Sequence, residues 1–357
     1  MRILSTSHYI DKQYFELEQE HIFKKHPIYM GCKQMVPELG NYFVCQRNSG
    51  NVFLIHNASG VEVISNICRH HQALILENAG KINKITCPFH FWQYDLAGTL
   101  RKAPNFPGLP CIQLDKTVTH SWENLLFKNQ PPAIEIKKKS LLTDFSFEAY
   151  RYHNSAILPA AYNWKIFIDN YLDDYHIPAI HPGLKNLVDL NNLEWEFSLS
   201  FSAQRIGIKN KILQSTSEHF NGWKNLIQEI EQSNIQPKAA SVMWILIYPG
   251  TMIEVYPYML TVSTLTPISC DETINHVDFF YPNFILDNYP EYPDVSQSSY
   301  FETAKEDDKI CTAIQHGREE LFKQKQNDSG WLQPKLEAGI NQFHEFWFNA
   351  IQHAETQ

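Results

Sequence analysis

Residues Asn163–Pro182 read NWKIFIDNYLDDYHIPAIHP. Asn163 is a good helix N-cap, because its side chain accepts from an unpaired N–H of the first turn. Trp164, Phe167, Ile168, Tyr171 and Tyr175 follow at helical spacing and give one apolar face. Pro178 disfavours helix at the residue before it, which predicts a helix end near His176. A break there lets the chain bend and bring His176 and His181 to one point. At about 100° per residue, Asp173 lies about 60° from His176 around such a helix and Asp174 about 160° away. Asp173 is therefore expected beside His176, with Asp174 facing elsewhere. A buried amphipathic helix with two satisfied histidines fits the same residues.

A second cluster precedes it. Cys68–His90 reads CRHHQALILENAGKINKITCPFH and holds Cys68-x-His70 and Cys87-x-x-His90. Two thiolates and two imidazoles suit zinc, or a two-iron cluster with both histidines on one iron. The Cys-x-His step is tighter than the usual zinc knuckle and suits a loop tip. Neutral imidazoles in place of two thiolates raise the potential of such a cluster, which makes it an electron acceptor.

A chain of 357 residues forms one large or two ordinary domains. A net charge of −9 argues against nucleic-acid binding, which calls for a basic face. The N-terminus MRILSTSHYIDKQYF lacks the apolar core of a signal peptide, and the apolar run Val242–Tyr248 is too short to span a membrane. A cytoplasmic protein with no membrane association is expected. The seven cysteines, Cys32, Cys45, Cys68, Cys87, Cys111, Cys270 and Cys311, are odd in number and scattered, which is no disulfide framework.

Residues 8–26 read as a short helix packed on a larger body. From Gly40 to Ile136 short strands alternate with turns. Val52–Ile55 and Val61–Ile64 flank a hairpin turn at Asn57-Ala58-Ser59-Gly60, and Asp95-Leu96-Ala97-Gly98 marks another turn. Pro131-Pro132 and Lys137-Lys138-Lys139 mark a junction. The lysines read as a solvated edge or as a patch for an acidic redox partner. Beyond the central helix, Ser241–Tyr248, Thr251–Thr266 and His276–Tyr281 read as antiparallel strands. Helices over Tyr300–Gln324 and Leu336–Ala354 close the chain. The absence of a βαβ rhythm predicts an α+β fold. The expected division is a helical segment over 1–36, an all-β domain over 37–140 and a catalytic domain over 141–357.

Cys68-Arg69-His70 and Cys87-Pro88-Phe89-His90, followed by Trp92, Tyr94-Asp95-Leu96 and Gly98, resemble the Rieske domain of the Rieske non-haem iron oxygenases. The central stretch resembles their mononuclear-iron motif. Asp169-Asn170-Tyr171-Leu172-Asp173, Tyr175-His176, His181, Glu306-Asp307, Cys311 and Gln315-His316-Gly317 are most similar to the choline and carnitine monooxygenase branch. Two departures stand out. Phe91 replaces a common Gly, and His71-Gln72-Ala73 replaces Arg-Gly-Ala. The resemblance implies a Rieske [2Fe-2S] cluster on Cys68, His70, Cys87 and His90, and a catalytic domain of helix-grip, START-like form. It also implies a mononuclear Fe(II) on His176, His181 and a carboxylate.

Glu306, Asp307 and Asp308 compete for that carboxylate. Asp307 shares a helical face with Ile310, Cys311, Ile314 and Leu321, whereas Asp308 sides with Thr312 and Gln315. An acid on the buried stripe is costly unless it is paired or metal-bound, so Asp307 is the expected ligand. The family pattern agrees. Glu302 is expected near the helix N-terminus, stabilised by the dipole.

The resemblance further implies an oxygenase component fed by an NAD(P)H-dependent reductase of flavin or ferredoxin type. It implies a homotrimer in which Asp173 bridges His90 of one subunit and His176 of the next. The substrate, beside O₂, is a small organic molecule to be hydroxylated or oxidatively demethylated. A quaternary ammonium compound is expected, with Trp244, Tyr256 and Tyr258 walling the pocket and Glu254 as counter-charge. These aromatics read equally as core. An aromatic acid is the alternative substrate. A Rieske electron carrier without oxygenase activity, or a structural zinc protein, is the alternative of another class.

Overall fold

Ile28–Cys32 pairs antiparallel with Leu125–Lys128 and so belongs to the all-β part of the chain. The computed structural model describes residues 2–48, 50–134, 140–143, 145–209, 215–233 and 241–355. It divides into two compact units: Pro27–Pro132, and Met1–His26 with Ala133–Gln357. The divisions fall at 26/27 and 132/133, where sequence reading set 36/37 and 140/141. The strand at Ile28 accounts for the first difference, since its partner lies about 100 residues on. Lys137–Lys139 lie outside the described residues.

In the all-β unit, a five-stranded sheet runs in the order Ala79–Lys81, Asn41–Val44, Val52–Asn57, Gly60–Ser65, Lys116–Thr117. The predicted hairpin is present. Asn57 pairs with Gly60, and Asn57 Oδ1 accepts from Ser59 N–H at 2.8 Å. A small sheet of Ile85–Thr86, Gln93–Tyr94 and Leu100–Lys102 carries the second cysteine loop. Phe53, Ile55, Ile64, Trp92 and Tyr94 form the core around Cys68 and Cys87.

The other unit is built on a seven-stranded antiparallel sheet. Its order is Tyr150–Ala160, Thr273–Pro282, Met259–Pro267, Thr251–Tyr256, Ser241–Ile247, Phe201–Ile208, Val188–Phe197. Sequence reading merged two of these into one strand over 251–266. The chain instead turns at Pro257-Tyr258, where Tyr258 takes φ +56°. The strands at 150–160, 188–197 and 201–208 and the helix Glu218–Gln232 were not anticipated. No helix among the described residues is long and apolar enough to cross a membrane.

The helix Trp164–Tyr171 is fixed at its start. Asn163 caps it by accepting from Lys165 N–H at 2.9 Å, and its Nδ2 donates to the carbonyls of Tyr9 and Cys270. Lys165, Trp164 and Trp347 all donate to the buried carboxylate of Glu18, at 2.6, 2.8 and 2.7 Å. Burial of the lysine and glutamate is tolerated because each charge meets the other and two indole N–H groups add further donors to the carboxylate. The long helix Tyr292–Lys323 crosses nearby. Its buried line runs through Ser296, Ser299, Cys311 and Gln315. The expected stripe was rotated: Ile314 is 36% exposed, while Gln315 is buried and accepts from Asn163 N–H. Glu302 lies well inside this helix, not at its start, and accepts from Ser217 Oγ at 2.6 Å.

Candidate metal centres and the adjoining cavity

The helix Trp164–Tyr171 stops short of the predicted end near His176. Asp173 Oδ1 accepts from the N–H groups of Tyr175 and His176, at 2.6 and 3.2 Å, and starts a new turn. Pro178 sits in the first turn of a second helix, Ile177–Ile180, where its missing N–H costs nothing. The break falls earlier than expected, yet it does bring the two histidines together. The 60° phase argument for Asp173 does not hold, because 173–176 is not helical. Asp173 reaches His176 through the turn instead, with Oδ2 at 3.3 Å from Nδ1. The contact is too poorly aligned to satisfy that buried nitrogen as a hydrogen bond.

His176 Nε2 and His181 Nε2 face each other at 3.0 Å. Asp307 Oδ1 lies 3.3 Å from the first and 3.0 Å from the second. Three donor atoms at nearly equal spacing match one face of an octahedron. Ligands about 2.1 Å from a metal and at right angles are about 3 Å apart. The residues present therefore fit a metal held by two histidines and one carboxylate. Asp308 makes no such contact and is held by the Tyr162 hydroxyl.

Electrostatics support the same grouping. Burial would raise the Asp307 carboxyl, but the two imidazoles outweigh it and hold it at about 2. Burial would lower His176, yet Asp173 and Asp307 push it up to about 10. His181 is raised, against burial, by Asp307 and Glu306. Two flanking contacts were missed in sequence. Glu306 Oε2 meets His181 Nδ1 at 2.8 Å, and Asn170 Nδ2 donates to Asp307 Oδ1 at 2.9 Å. Sequence reading treated Glu306 only as a rival ligand. Its adjacency to Asp307 was the available signal.

The cysteine loops are two copies of one shape. Cys68 N–H donates to Ala73 O and Gln72 N–H to Cys68 O, at 2.9 and 3.1 Å. Cys87 N–H donates to Trp92 O and Phe91 N–H to Cys87 O, at the same two distances. Gln72 and Phe91 hold equivalent places with φ of +57° and +58°. That left-handed conformation favours glycine, which explains where the two departures fall. Cys68 and Cys87 are buried, and burial followed by the nearby Cys68 thiol raises Cys87. The His70 and His90 rings lie 4.8 Å apart, and His70 Nδ1 is buried without a partner. Buried sulfurs, paired rings and an orphaned nitrogen fit a two-iron cluster. Cys68 Sγ also sits 3.3 Å from Tyr94 Oη. The other cysteines form no disulfide among the described residues, with Cys32, Cys45 and Cys311 buried, Cys270 partly so and Cys111 exposed.

A cavity of about 360 Å³ opens on His176, His181 and Asp307. Its lining also includes Trp244, Glu254 and Tyr256, along with Tyr171, Phe220, Trp223 and Tyr300. Tyr258, expected on this wall, instead packs on Phe284 and Tyr292. The turn at 257–258 accounts for that change. Burial raises Glu254 to about 7, although the Tyr256 hydroxyl opposes the shift.

Residues 147–353 match the family model for the ring hydroxylating alpha subunit (catalytic domain), and residues 30–113 match the Rieske [2Fe-2S] domain. A putrescine 2-hydroxylase of Ralstonia nicotianae is 35% identical, over 98% of this chain and 95% of its own. A chloroplastic choline monooxygenase of Beta vulgaris is 26% identical, over 96% of this chain and 76% of its own. Among solved structures, the quaternary ammonium Rieske monooxygenase CntA aligns with a TM-score of 0.75 at 20% identity. That alignment covers 98% of this chain and 95% of the other.

Proposed function

The chain belongs to the ring-hydroxylating α subunits of the Rieske oxygenases, and we propose that it hydroxylates a small cationic aliphatic amine. It is an oxidoreductase with a Rieske [2Fe-2S] cluster and a mononuclear iron, and it uses O₂ and electrons from a reductase. When bound, the cluster supplies electrons and the iron supplies O₂ activation. We assign the cluster to Cys68, His70, Cys87 and His90, and the iron to His176, His181 and Asp307.

One observation carries the substrate reading. Glu254 is a buried carboxylate on the wall of the cavity, and none of the groups acting on its charge is a cation. A charge buried without a partner is costly, so a cationic ligand is the natural complement. The surrounding rings favour a cation as well. An aromatic acid would bring a second carboxylate toward Glu254, which speaks against the alternative substrate. The relatives named above fit, being a putrescine 2-hydroxylase and a choline monooxygenase.

The chain's own residues have separable roles in this reading. Tyr256 and Glu254 orient the substrate, and the apolar walls exclude bulk water. Glu306 holds the His181 ring through Nδ1. Asp173 keeps Oδ2 toward His176 and accepts a hydrogen bond from His90 of a neighbouring copy in a homotrimer, so that electrons cross between subunits. The reductase is of flavin or ferredoxin type, and the system works in the cytoplasm, beside its NAD(P)H supply. The test is a screen for O₂ consumption with a surrogate reductase. Aliphatic amines should stimulate uptake and aromatic acids should not. Stimulation by aromatic acids alone would overturn the reading.

A further inference from the structure

Glu254 is paired in register with Thr261 on the neighbouring strand, and both side chains are buried. The Tyr256 hydroxyl donates to Glu254 Oε2 at 2.9 Å, whereas the buried Thr261 hydroxyl oxygen has no hydrogen-bond partner. A carboxylate offers about four lone-pair sites, so one donor leaves room for more. Tyr171, Tyr300 and Asp307 bring no positive charge to it. Elsewhere on the cavity wall, Asn275 is 2% exposed and its Oδ1 accepts from nothing. A buried acceptor left unfilled is costly, and a ligand donor would satisfy it.

These are directed acceptors. A quaternary ammonium ion has no N–H to give them, and its methyl shell keeps the charge away from the carboxylate. Ring faces alone suffice for such an ion. A primary ammonium has three donors and reaches full contact.

We infer that this cavity recognises its amine through N–H bonds. Glu254 seats a protonated primary or secondary ammonium group, and Asn275 Oδ1 accepts a hydrogen bond from another part of the ligand. Unmethylated aliphatic amines, diamines above all, therefore bind in preference to quaternary ammonium compounds. This rests on the proposed amine substrate and names its class.

The test is calorimetric titration of the holoenzyme with 1,4-diaminobutane and with the same carbon chain carrying one, two or three methyl groups on each nitrogen. Affinity should drop about 10- to 100-fold at the step that removes the last N–H, because charged hydrogen bonds are lost there. E254Q should weaken the diamine more than the fully methylated form, and N275L should weaken it more mildly. The ligand series alone decides the matter if either variant fails to fold. An even decline with added methyl volume, or equal or tighter binding of the quaternary form, overturns the inference while leaving the amine reading standing. Binding by no member of the series overturns the amine reading itself, and this inference with it.

Discussion

Glu306 Oε2 lies 2.8 Å from His181 Nδ1, on the opposite side of the ring from the nitrogen that meets Asp307 at 3.0 Å. A carboxylate behind a ligating histidine fixes the tautomer and the ring angle, and losing one typically costs 10- to 100-fold in metal affinity. Glu306→Gln should therefore weaken iron binding by about 10-fold, and Glu306→Ala by more. Competition with a chelator of known affinity measures it. The cluster spectrum should not change. Unaltered iron retention in Glu306→Ala would remove the positioning role.

Phe91 holds φ +58° with its side chain 63% exposed. A residue with a side chain pays about 1–2 kcal/mol in that conformation. Phe91→Gly relieves this and gives up little packing, so it should stabilise the holoprotein by about 1 kcal/mol. The readout is the denaturation midpoint at constant cluster content. A fall in the midpoint would mean that Phe91 makes contacts this account omits.

Glu254 stands at about 7, raised by burial from its ordinary 4.5. A raised folded-state value contributes stability that is complete below pH 4.5 and is lost as pH climbs through 7. At pH 8 without substrate, Glu254→Gln should thus be more stable than the parent by on the order of 2 kcal/mol, and at pH 4 the gap should close. Amine binding needs the charged form, so affinity for the amine should weaken below about pH 7 in the parent. A gap that stays constant from pH 4 to 8 would contradict the assignment.

Lys165 and Glu18 form a fully buried ion pair at 2.6 Å. Lys165→Met leaves the Glu18 charge with only two indole donors, and should cost about 3–5 kcal/mol. Chemical denaturation measures this directly. Replacing both residues with apolar ones should recover much of the loss.

Much of the site was legible because ligand spacing is local. Cys68-x-His70 and Cys87-x-x-His90 point to the proposed cluster, and Pro178, two residues past His176, pointed to a break that falls earlier than expected. Asp307 was reached through helical phase, and its carboxylate does lie beside both histidines, although Ile314 and Gln315 had been placed on the wrong faces. Asp173 was singled out by a helix that ends before it. The strands at 150–160, 188–197 and 201–208 were less legible, since pairings far apart in sequence leave no short-range period. The same limit hid Glu18, whose role depends on Trp347.

In the proposed assignment, His176, His181 and Asp307 hold one iron while the cysteine loops hold two more. Iron and acid-labile sulfide per chain test it most directly, measured in the parent and in Asp307→Ala and Asp308→Ala. The parent should carry about three irons and two sulfides, as a two-iron cluster and one mononuclear site require. Asp307→Ala should keep the sulfide and the cluster spectrum but fall to about two irons, and Asp308→Ala should match the parent. Loss of iron from Asp308→Ala with retention in Asp307→Ala, or a parent with about two irons, would contradict the account.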